Sequence, residues 1–432
     1  MKKRVLTGIN TTGTLHIGNY VGAIRPAIRD SRNPDTESFF FMADLHALIK
    51  CQDPARIARS RLQIAATWLA AGLDPERVVF YRQSDIPEIP TLNWLLTCST
   101  GKGQMNRAHA YKAAVDQAVA AGRDPDADVS MGLFCYPILM AADILMFNAD
   151  EVPVGHDQLQ HLEMARDVAT RFNFLYAAPE KPFFSMPQAT GGSQIEVLPG
   201  LDGRKMSKSY NNVIPLFEGG RKALDEAISR IVTDSRLPGE PKDPDSTSLT
   251  VIYDAFATKE ESDAFRAELR AGLGWGEAKK RLADKIDAEI GPMRARYEEL
   301  MSRPEEIEKI LQEGARKARA IATPFLAELM RAVGLKSFTQ ADAPAAEVKS
   351  AKTAKVLFKQ YREKDGNFYF KLSMNGRDLF VSDAFASGRD AGAWVGRIKR
   401  EAELAADAPI HLLEGVSADE VAAALATLRT EE

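Results

Sequence analysis

Residues 4–30, RVLTGINTTGTLHIGNYVGAIRPAIRD, place a strand, a turn and a helix in immediate succession. RVLTGI is a short run of mostly apolar residues that predicts a buried strand, and HIGNYVGAIRPAIRD has apolar residues at helical spacing. The turn between them is rich in Gly and Thr, and His16 and Asn19 lie at the start of the helix. Such a turn presents free backbone N–H groups at the positive end of a helix, which favours an anion. A tight turn with a helix-capping cluster is an equally good interpretation of this stretch alone.

Apolar runs and helical segments alternate through the rest of the first half of the chain. SFFFMAD (38–44), RVVFYRQ (77–83) and EVPVG (151–155) are typical of strands buried on both faces. PARIARSRLQIAATWLAAG (54–72) and HDQLQHLEMARDVATRFN (156–173) predict helices. This alternation predicts right-handed crossovers and an α/β domain with a Rossmann-like parallel sheet, whose ligands bind at the carboxyl ends of the strands.

The pattern changes twice further along the chain. From about residue 220 the segments are amphipathic helices without buried strands, which predicts an all-α domain over 221–335. QADAPAAEVKSAKTAK falls within a predicted linker, 336–355. Residues 356–432 then combine a hairpin-like alternation around Asn375-Gly376 with two helical segments, GAWVGRIKREAEL and SADEVAAALATL. We therefore predict an α/β catalytic domain over 1–220, the all-α domain, the linker and a small α+β module.

Composition excludes several classes of protein. The chain has 432 residues and a formal net charge of −4, which argues against wholesale binding of a polyanion but allows a local basic face. Its three cysteines form no Cys-x-x-Cys pattern, so we expect no structural zinc or iron–sulfur cluster and no bound metal site in the protein. No stretch reaches the ~18 apolar residues of a membrane span, and the N-terminal apolar run is too short for a signal peptide. We expect a cytoplasmic protein without a membrane partner.

A second motif points to an anionic ligand. LPGLDGRKMSKSYNN (198–212) is a Gly-rich loop that carries Lys205 and Lys208 beside Ser207 and Ser209. Ordering lysines on a loop costs conformational entropy, which a polyphosphate bound by the ammonium groups would offset. A solvated basic loop explains this motif when it is taken alone.

Together the two motifs resemble the signatures of class I aminoacyl-tRNA synthetases. HIGN (16–19) resembles the HIGH element of that class, with Asn19 at the position of the final His, and KMSKS (205–209) matches the second signature at every position. YPILMAADILMFNADEVPVGHDQLQHLEMARDVATRFN (136–173) resembles the tryptophanyl-tRNA synthetase family in particular. This resemblance extends from residue 1 to about residue 335.

The resemblance implies a tryptophan pocket in which Asp143 accepts the indole N–H, Met140 packs on the ring, and Tyr136 and Gln158 hold the ammonium group. The implied tryptophan-binding residues are Leu6, Asp44, His46, Tyr136, Met140, Asp143 and Gln158. The residues themselves support this, because Tyr136, Met140 and Asp143 are spaced i, i+4, i+7 and share one helix face. A carboxylate on such a face needs a donor partner. A capping or salt-bridged Asp143 is the remaining alternative.

The resemblance also implies an ATP site. Its expected residues are Asn10, Thr11, Thr12, Gly18, Asn19, Gly155, His156, Asp157, Val197, Lys205, Met206, Ser207, Lys208 and Ser209. The expected catalytic residues are His16, Asn19, Lys112, Lys205 and Lys208. A solvated surface lysine is the alternative for Lys112. The sequence departs from the family pattern in two places: Thr11-Thr12 stand where Pro-Ser is common, and His156 stands where an acidic residue is frequent.

The implied reaction is the ATP-dependent attachment of L-tryptophan to tRNA(Trp) through tryptophanyl-adenylate, with Mg²⁺ on the ATP phosphates and a homodimeric enzyme. In this family the helical part reads the anticodon, for which RKARAIA (316–322) offers a basic face. Basic residues beside Phe368, Tyr369 and Phe370 are a plausible RNA surface, although the hairpin pattern favours at least two of these aromatics as core. The alternatives are a tyrosyl-type synthetase, a catalytically silent nucleotide- or RNA-binding paralogue, and an adenylating enzyme without a tRNA substrate.

Overall fold

A computed structural model describes residues 2–11, 13–155, 158–190, 198–335, 356–401, 404–405 and 407–428. The chain divides into two compact units, Met1–Lys336 and Ser337–Glu432. The predicted domain boundary at residue 220 falls inside the first unit and stays a prediction.

A parallel five-stranded sheet with the strand order β3-β2-β1-β4-β5 forms the centre of the first unit. Its strands are β1 Lys3–Ile9, β2 Thr36–Met42, β3 Val79–Arg82, β4 Glu151–Pro153 and β5 Gln188–Thr190. Leu6 is in register with Phe39 of β2, and Phe39 with Val79 of β3. The predicted Rossmann-like α/β class is confirmed. Strand β5 was not predicted, because its three residues contain no apolar run.

The strand order fixes where a ligand can bind. From β1 the chain moves outward to β2 and β3 on one side, and later to β4 and β5 on the other side. The connections after β1 and β4 therefore diverge, and this leaves a crevice at the carboxyl ends of these two strands. The segments that follow Ile9 and Pro153 border this crevice.

Helices pack on both faces of the sheet. They are α1 Ile17–Asn19, α2 Arg25–Asp30, α3 Asp44–Ala47, α4 Pro54–Ala70, α5 Glu88–Ser99, α6 Lys102–Met105, α7 His109–Ala120, α8 Met131–Met146, α9 Leu159–Tyr176, α10 Gly220–Ser229, α11 Ser248–Asp254, α12 Lys259–Arg270, α13 Trp275–Ser302 and α14 Pro304–Ala332. A π-helical turn, Tyr20–Ile24, joins α1 to α2. It ends two residues before Pro26, which has no N–H to donate to an α-helical ladder.

Strand β2 shows how the core is divided. Phe39 and Phe41 contribute to one hydrophobic cluster, together with residues of α5, α8 and α9. Phe40 and Met42 point to the other face and join a cluster that includes residues of α4, α10 and α13. The alternation explains why this strand is apolar at successive positions. The helices after residue 220 thus share one core with the sheet.

Helix α14 approaches β3 closely at Gly314. A Cβ atom at this position would lie 1.7 Å from the carbonyl oxygen of Phe80. Only glycine allows the helix backbone to rest directly on the strand.

The second unit is a four-stranded antiparallel sheet with the order β6-β7-β8-β9. Its elements are β6 Val356–Arg362, β7 Phe368–Met374, β8 Arg377–Ser382, α15 Gly388–Glu401, β9 Ile410–Leu412 and α16 Ala418–Leu428. The Asn375-Gly376 turn joins β7 to β8, with φ values of 54° and 86° that suit a two-residue hairpin. The predicted hairpin is confirmed, whereas the outer strands β6 and β9 were not predicted.

The aromatic residues of β7 divide between two environments. Phe370 is fully buried and Phe368 packs against the same core. Tyr369 alternates to the other face, where its ring stacks with that of Tyr361 at a centroid distance of 5.8 Å. The prediction that at least two of these aromatics are core is confirmed, and RNA contact by this unit stays a prediction.

None of the helices in the described part of the chain combines the length and the apolar run that crossing a bilayer requires.

Candidate active site

The HIGN turn and the segment after the KMSKS loop are hydrogen-bonded to each other. Ile17 N–H donates to the carbonyl of Ile214 at 3.0 Å, and Leu216 N–H donates to that of Leu15 at 3.4 Å. His16 and Pro215 form an isolated antiparallel bridge between these contacts. Two motifs that are far apart in the sequence therefore meet beside the carboxyl end of β1.

Asn19 has the capping role that the simpler interpretation of the first motif required. Its side-chain oxygen accepts the backbone N–H of His16 at 3.1 Å. The His16 side chain is buried, and its Nδ1 has no hydrogen-bond partner. Burial and the nearby Lys208 ammonium lower the pKa of His16 to about 4. The imidazole is therefore neutral at physiological pH.

Lys208 extends from the KMSKS loop to the first turn of the site. Its Nζ would lie 2.8 Å from a Cβ atom at Gly13, whose φ of 75° also favours glycine. Burial and the Arg56 guanidinium lower the pKa of Lys208, and the Glu218 carboxylate partly offsets this. The Lys208 ammonium thus lies in a partly desolvated position, next to backbone that only glycine leaves open.

A cavity of about 540 Å³ lies at this junction. The turn over residues 13–16, the N-terminal half of α4, Lys208 and Glu218 line it. Arg56 and Arg59 of α4 are in this lining, and the sequence analysis did not single them out.

Asn212 organises the KMSKS loop and was also missed by the sequence analysis. Its side chain donates to Asp202 at 2.7 Å and to the carbonyl of Lys205 at 3.1 Å. Its oxygen accepts the N–H of Ser207 at 2.8 Å. Met206 is buried in the core, whereas the Lys205 side chain is exposed. The loop is therefore held from inside by Asn212 and Met206.

The carboxylate of Asp143 is fully buried on α8 and lies at the centre of the second part of the site. The side-chain amide of Gln83 donates to both of its oxygens, at 2.8 and 2.9 Å, and His46 Nε2 lies 2.9 Å from Oδ2. Burial raises the pKa of Asp143, and these partners oppose that shift. Asp143 thus has two side-chain partners within the protein, His46 and Gln83, and Gln83 is a site residue that the sequence analysis missed.

His161 links two of the residues expected at the ammonium end of the pocket. Tyr136 Oη lies 2.8 Å from His161 Nε2, and His161 Nδ1 lies 3.0 Å from Gln158 Oε1. The rings of Tyr136 and His46 meet edge to face at 6.2 Å. A hydrogen-bonded chain therefore runs from Gln158 through His161 to Tyr136, whose ring contacts that of His46, the neighbour of Asp143. The i, i+3 spacing of Gln158 and His161 on a helix was the available sequence signal.

Asp44 has partners that hold the strand ends together. Its carboxylate accepts the Ser84 N–H at 2.9 Å and the Ser84 hydroxyl at 2.6 Å, and Arg61 lies 3.0 Å away. Met140 is half-buried against the same hydrophobic cluster that contains the fully buried Leu6.

The other predicted site residues differ in their burial and in whether they lie at the crevice. Thr11 is buried, and its carbonyl accepts the Ser60 hydroxyl at 2.6 Å. Asn10 directly follows β1 at the crevice. Gly155 lies two residues after the end of β4 at the same crevice. Lys112 is exposed on α7, outside the cavity that His16 and Lys208 line. Predicted residues that lie outside the described residues are Thr12, His156, Asp157, Val197 and the side chain of Ser209.

Comparison with known proteins decides the family. The family model of class I tRNA synthetases for tryptophan and tyrosine (W and Y) matches residues 1–290. A tryptophan–tRNA ligase of Bordetella parapertussis is 60% identical over 405 residues, which cover 93% of this chain and 89% of the relative. The chain belongs to the tryptophan–tRNA ligase family of class I synthetases.

Other tryptophan–tRNA ligases bear on the C-terminal unit. The ligase of Xanthomonas axonopodis pv. citri is 56% identical over 432 residues and matches 99% of both chains, so its match includes this unit. The crystal structure of the Campylobacter jejuni tryptophanyl-tRNA synthetase, complexed with ADP and tryptophan, is 38% identical with a TM-score of 0.70. The match covers 77% of this chain and 100% of the Campylobacter chain. Because the chain belongs to the tryptophan–tRNA ligases, the alternative that it belongs to the tyrosyl-type synthetases is excluded.

Proposed function

We propose that this enzyme activates L-tryptophan with ATP to tryptophanyl-adenylate and pyrophosphate, and then transfers the tryptophanyl group to tRNA(Trp) with release of AMP. The observation that carries the proposal is the meeting of the two signature motifs at the β1–β4 crevice, where Lys208 reaches the turn at Gly13. The Campylobacter relative binds ADP and tryptophan, which supports the same ligands here. Because tRNA and ATP are its substrates, we expect the enzyme in the cytoplasm.

Tryptophan recognition follows from the capacity of Asp143 to accept hydrogen bonds. A carboxylate offers about four lone-pair sites, and Gln83 and His46 provide three contacts to them. One acceptor site is therefore left for a further donor, and an indole N–H is donor-only. The chain of Tyr136, His161 and Gln158 supplies polar groups for the ammonium end, while Leu6 and Met140 supply apolar surface.

The first step needs no nucleophile from the protein. The ionised carboxylate of tryptophan attacks the α-phosphorus, and the bond from that phosphorus to the bridging oxygen of pyrophosphate breaks. Catalysis then depends on positioning and on stabilising charge. We propose that His16, Asn19 and the turn hold phosphate on one side, while Lys205 and Lys208 stabilise the leaving pyrophosphate. Lys112 is exposed in the described structure, and a phosphate role for it stays a prediction.

Magnesium fits this site as a companion of ATP. Among the described residues, no cluster of three or more His, Cys, Asp or Glu side chains is arranged to hold a metal ion. The carboxylate that lines the cavity, Glu218, accepts hydrogen bonds from Thr14 and Gln63. Mg²⁺ prefers oxygen ligands and often keeps phosphates and waters among them. ATP phosphates would supply these ligands and bring the ion as part of the substrate.

The second step transfers the tryptophanyl group to the 2′ hydroxyl of the terminal tRNA adenosine. Anticodon reading by the helices after residue 220 rests on the family resemblance. On the basic face at 316–322, Arg316 pairs with Glu313 and Arg319 with Glu88, so part of its charge is already balanced. For the proposed homodimer, α5 presents Trp94 with 65% of its surface exposed, which a second copy would cover.

Pyrophosphate exchange into ATP tests the first step directly. The full chain is incubated with ATP, Mg²⁺ and labelled pyrophosphate, and with each of the twenty amino acids in turn. Exchange with tryptophan, followed by charging of tRNA(Trp), is the expected result. Exchange with tyrosine would overturn the pocket assignment. No exchange, with or without tRNA, would favour the catalytically silent alternative. Exchange without charging of tRNA would favour an adenylating enzyme.

A further inference from the structure

Two arginines of α4 face the cavity that Lys208 and His16 line. Arg56 and Arg59 are separated by three positions, so their side chains leave the same face of the helix. This face is distinct from the core face, on which Ile64 and Trp68 are buried. The cavity thus has cations from two separate parts of the chain, α4 and the KMSKS loop.

The side chains of these two arginines make few stabilising contacts with the described residues of the protein. Arg59 has 76% of its side chain exposed, and Glu218 lies 3.8 Å away. A pair so exposed contributes little to stability. Arg56 donates its backbone N–H to the Asp53 carboxylate at 3.2 Å, but its side chain has no ion-pair or hydrogen-bond partner among the described residues. Its positive charge also acts unfavourably on Lys208, since it lowers the pKa of that ammonium.

Three cations around one carboxylate leave the cavity with an excess of positive charge. Glu218 is also the acceptor for Thr14 at 3.1 Å and for Gln63, so it is shared among several donors. The buried His16 Nδ1, without a partner, adds an unsatisfied polar atom beside the same cavity. An anion in the cavity would remove the repulsion between the cations and supply acceptors for them.

We infer that Arg56 and Arg59 bind the β- and γ-phosphates of ATP and then the pyrophosphate leaving group. This inference rests on the proposed function. A guanidinium group is planar, and two of its N–H groups can donate hydrogen bonds to two oxygens of the same phosphate. As the tryptophan carboxylate forms its bond to the α-phosphorus, negative charge moves onto the departing pyrophosphate, and the two arginines stabilise it from α4. Phosphates near the 3′ end of tRNA have the same chemistry, and the experiment separates the two sources.

The test compares Arg56→Gln, Arg59→Gln and the double variant with the full-length wild-type enzyme in pyrophosphate exchange. We expect kcat/KM for ATP to fall about tenfold for each arginine and about a hundredfold for the pair, as for lost charge-assisted hydrogen bonds. KM for tryptophan should change little. Arg29→Gln is the matched control, because Arg29 is an arginine with 71% of its side chain exposed that lies on a helix outside the cavity.

Product inhibition sharpens the assignment. If the arginines bind the β- and γ-phosphates, inhibition by pyrophosphate should weaken in the variants while inhibition by AMP stays as in wild type. Equal weakening of AMP and pyrophosphate would overturn the inference. Unchanged kinetics for ATP would also overturn it, and a rise in KM for tRNA alone would assign the arginines to the tRNA phosphates. Failure of the wild-type enzyme to exchange pyrophosphate would instead count against the proposed function.

Discussion

The side-chain amide of Gln83 donates to both carboxylate oxygens of Asp143, at 2.8 and 2.9 Å, although 60 positions separate the two residues. The Gln83 oxygen accepts the N–H of Leu45 at 3.1 Å, so the same side chain also fixes the end of β2. Gln83 is fully buried, as is Asp143. The orientation of the carboxylate is therefore set by the strand ends and not by α8 alone.

The residues on either side of Gln83 extend this arrangement. Arg82 donates to both oxygens of Glu308 on α14, at 2.6 and 2.7 Å. Ser84 donates to Asp44 through its N–H and its hydroxyl. Three consecutive side chains at the end of β3 thus hold three carboxylates, one of which belongs to a helix of the C-terminal half of the first unit. Arg82, which binds α14, and Gln83, which binds Asp143, are adjacent in the chain. The tryptophan pocket is therefore linked to α14 through the end of β3.

Asp143→Asn should impair the use of tryptophan selectively. The asparagine keeps the shape but replaces one oxygen by an NH₂ group, which would face a donor of Gln83 or His46. We expect kcat/KM for tryptophan in pyrophosphate exchange to fall by a factor of about 100, as for a lost hydrogen bond to a charged group, with KM for ATP changed by less than about threefold.

Asp116→Asn, at an exposed position on α7, is the control for this change and should behave as wild type. If Asp143→Asn used tryptophan as well as wild type does, Asp143 would be a structural carboxylate and not the indole acceptor.

Part of this site could be predicted from the sequence, and the reason lies in strand ends. Asp44 and His46 follow an apolar run, and so does Gln83; the same rule that favoured the first two applied to the third. Arg56 and Arg59 were different. Periodicity shows which face of α4 is buried, but the partner of the opposite face, Lys208, is about 150 positions away in the sequence. Asn212 likewise acts through contacts that no local pattern specifies, whereas the i, i+3 spacing to Gln158 was an available signal for His161.

Gly314→Ala should strongly destabilise the first unit. The new Cβ would lie 1.7 Å from the Phe80 carbonyl oxygen, so α14 would have to move away from β3. We expect the loss in free energy of unfolding to reach about 3 kcal/mol, at the upper end for overpacking. The measurement is the temperature at which the exchange activity is irreversibly lost.

Gly276→Ala is the matched control, because it lies in α13 with no heavy atom within 4 Å of the added Cβ. Alanine is the better helix former by about 1 kcal/mol, so this variant should be as stable as wild type or more stable. Equal melting of the two variants would show that α14 does not rest on β3 at Gly314.

The stability of the enzyme should depend on pH through His16. Its pKa is lowered to about 4 in the folded protein, below the ordinary value of 6.5. Between these values the unfolded chain binds a proton that the folded chain does not, so His16 makes folding less favourable as the pH falls from 6.5 towards 4. Above pH 6.5 both states are neutral and the effect vanishes.

Comparison of wild type with His16→Asn isolates this contribution, since every other titrating group is common to both. As the pH is lowered from 7 to 4.5, wild type should lose more free energy of unfolding than the variant does, by up to about 3 kcal/mol. Chemical denaturation at a series of pH values gives the difference. Parallel curves for the two proteins would show that His16 is as easily protonated in the folded protein as in the unfolded chain.

Gly13→Ala should act on catalysis through Lys208. Two effects combine at this position: the residue has a φ of 75°, and its Cβ would lie 2.8 Å from the Lys208 ammonium. The first effect costs about 1–2 kcal/mol of stability for a non-glycine residue. The second pushes the ammonium out of the turn, so kcat for pyrophosphate exchange should fall at least about tenfold, towards the value of Lys208→Gln.

Gly122→Ala separates the two effects, because Gly122 has a φ of 68° with no heavy atom within 4 Å of the added Cβ. It should lose stability and keep its kcat. If Gly13→Ala kept its kcat as well, the contact between the turn and Lys208 would be irrelevant to the reaction, and a phosphate role for Lys208 would have to be exerted from another position of the loop.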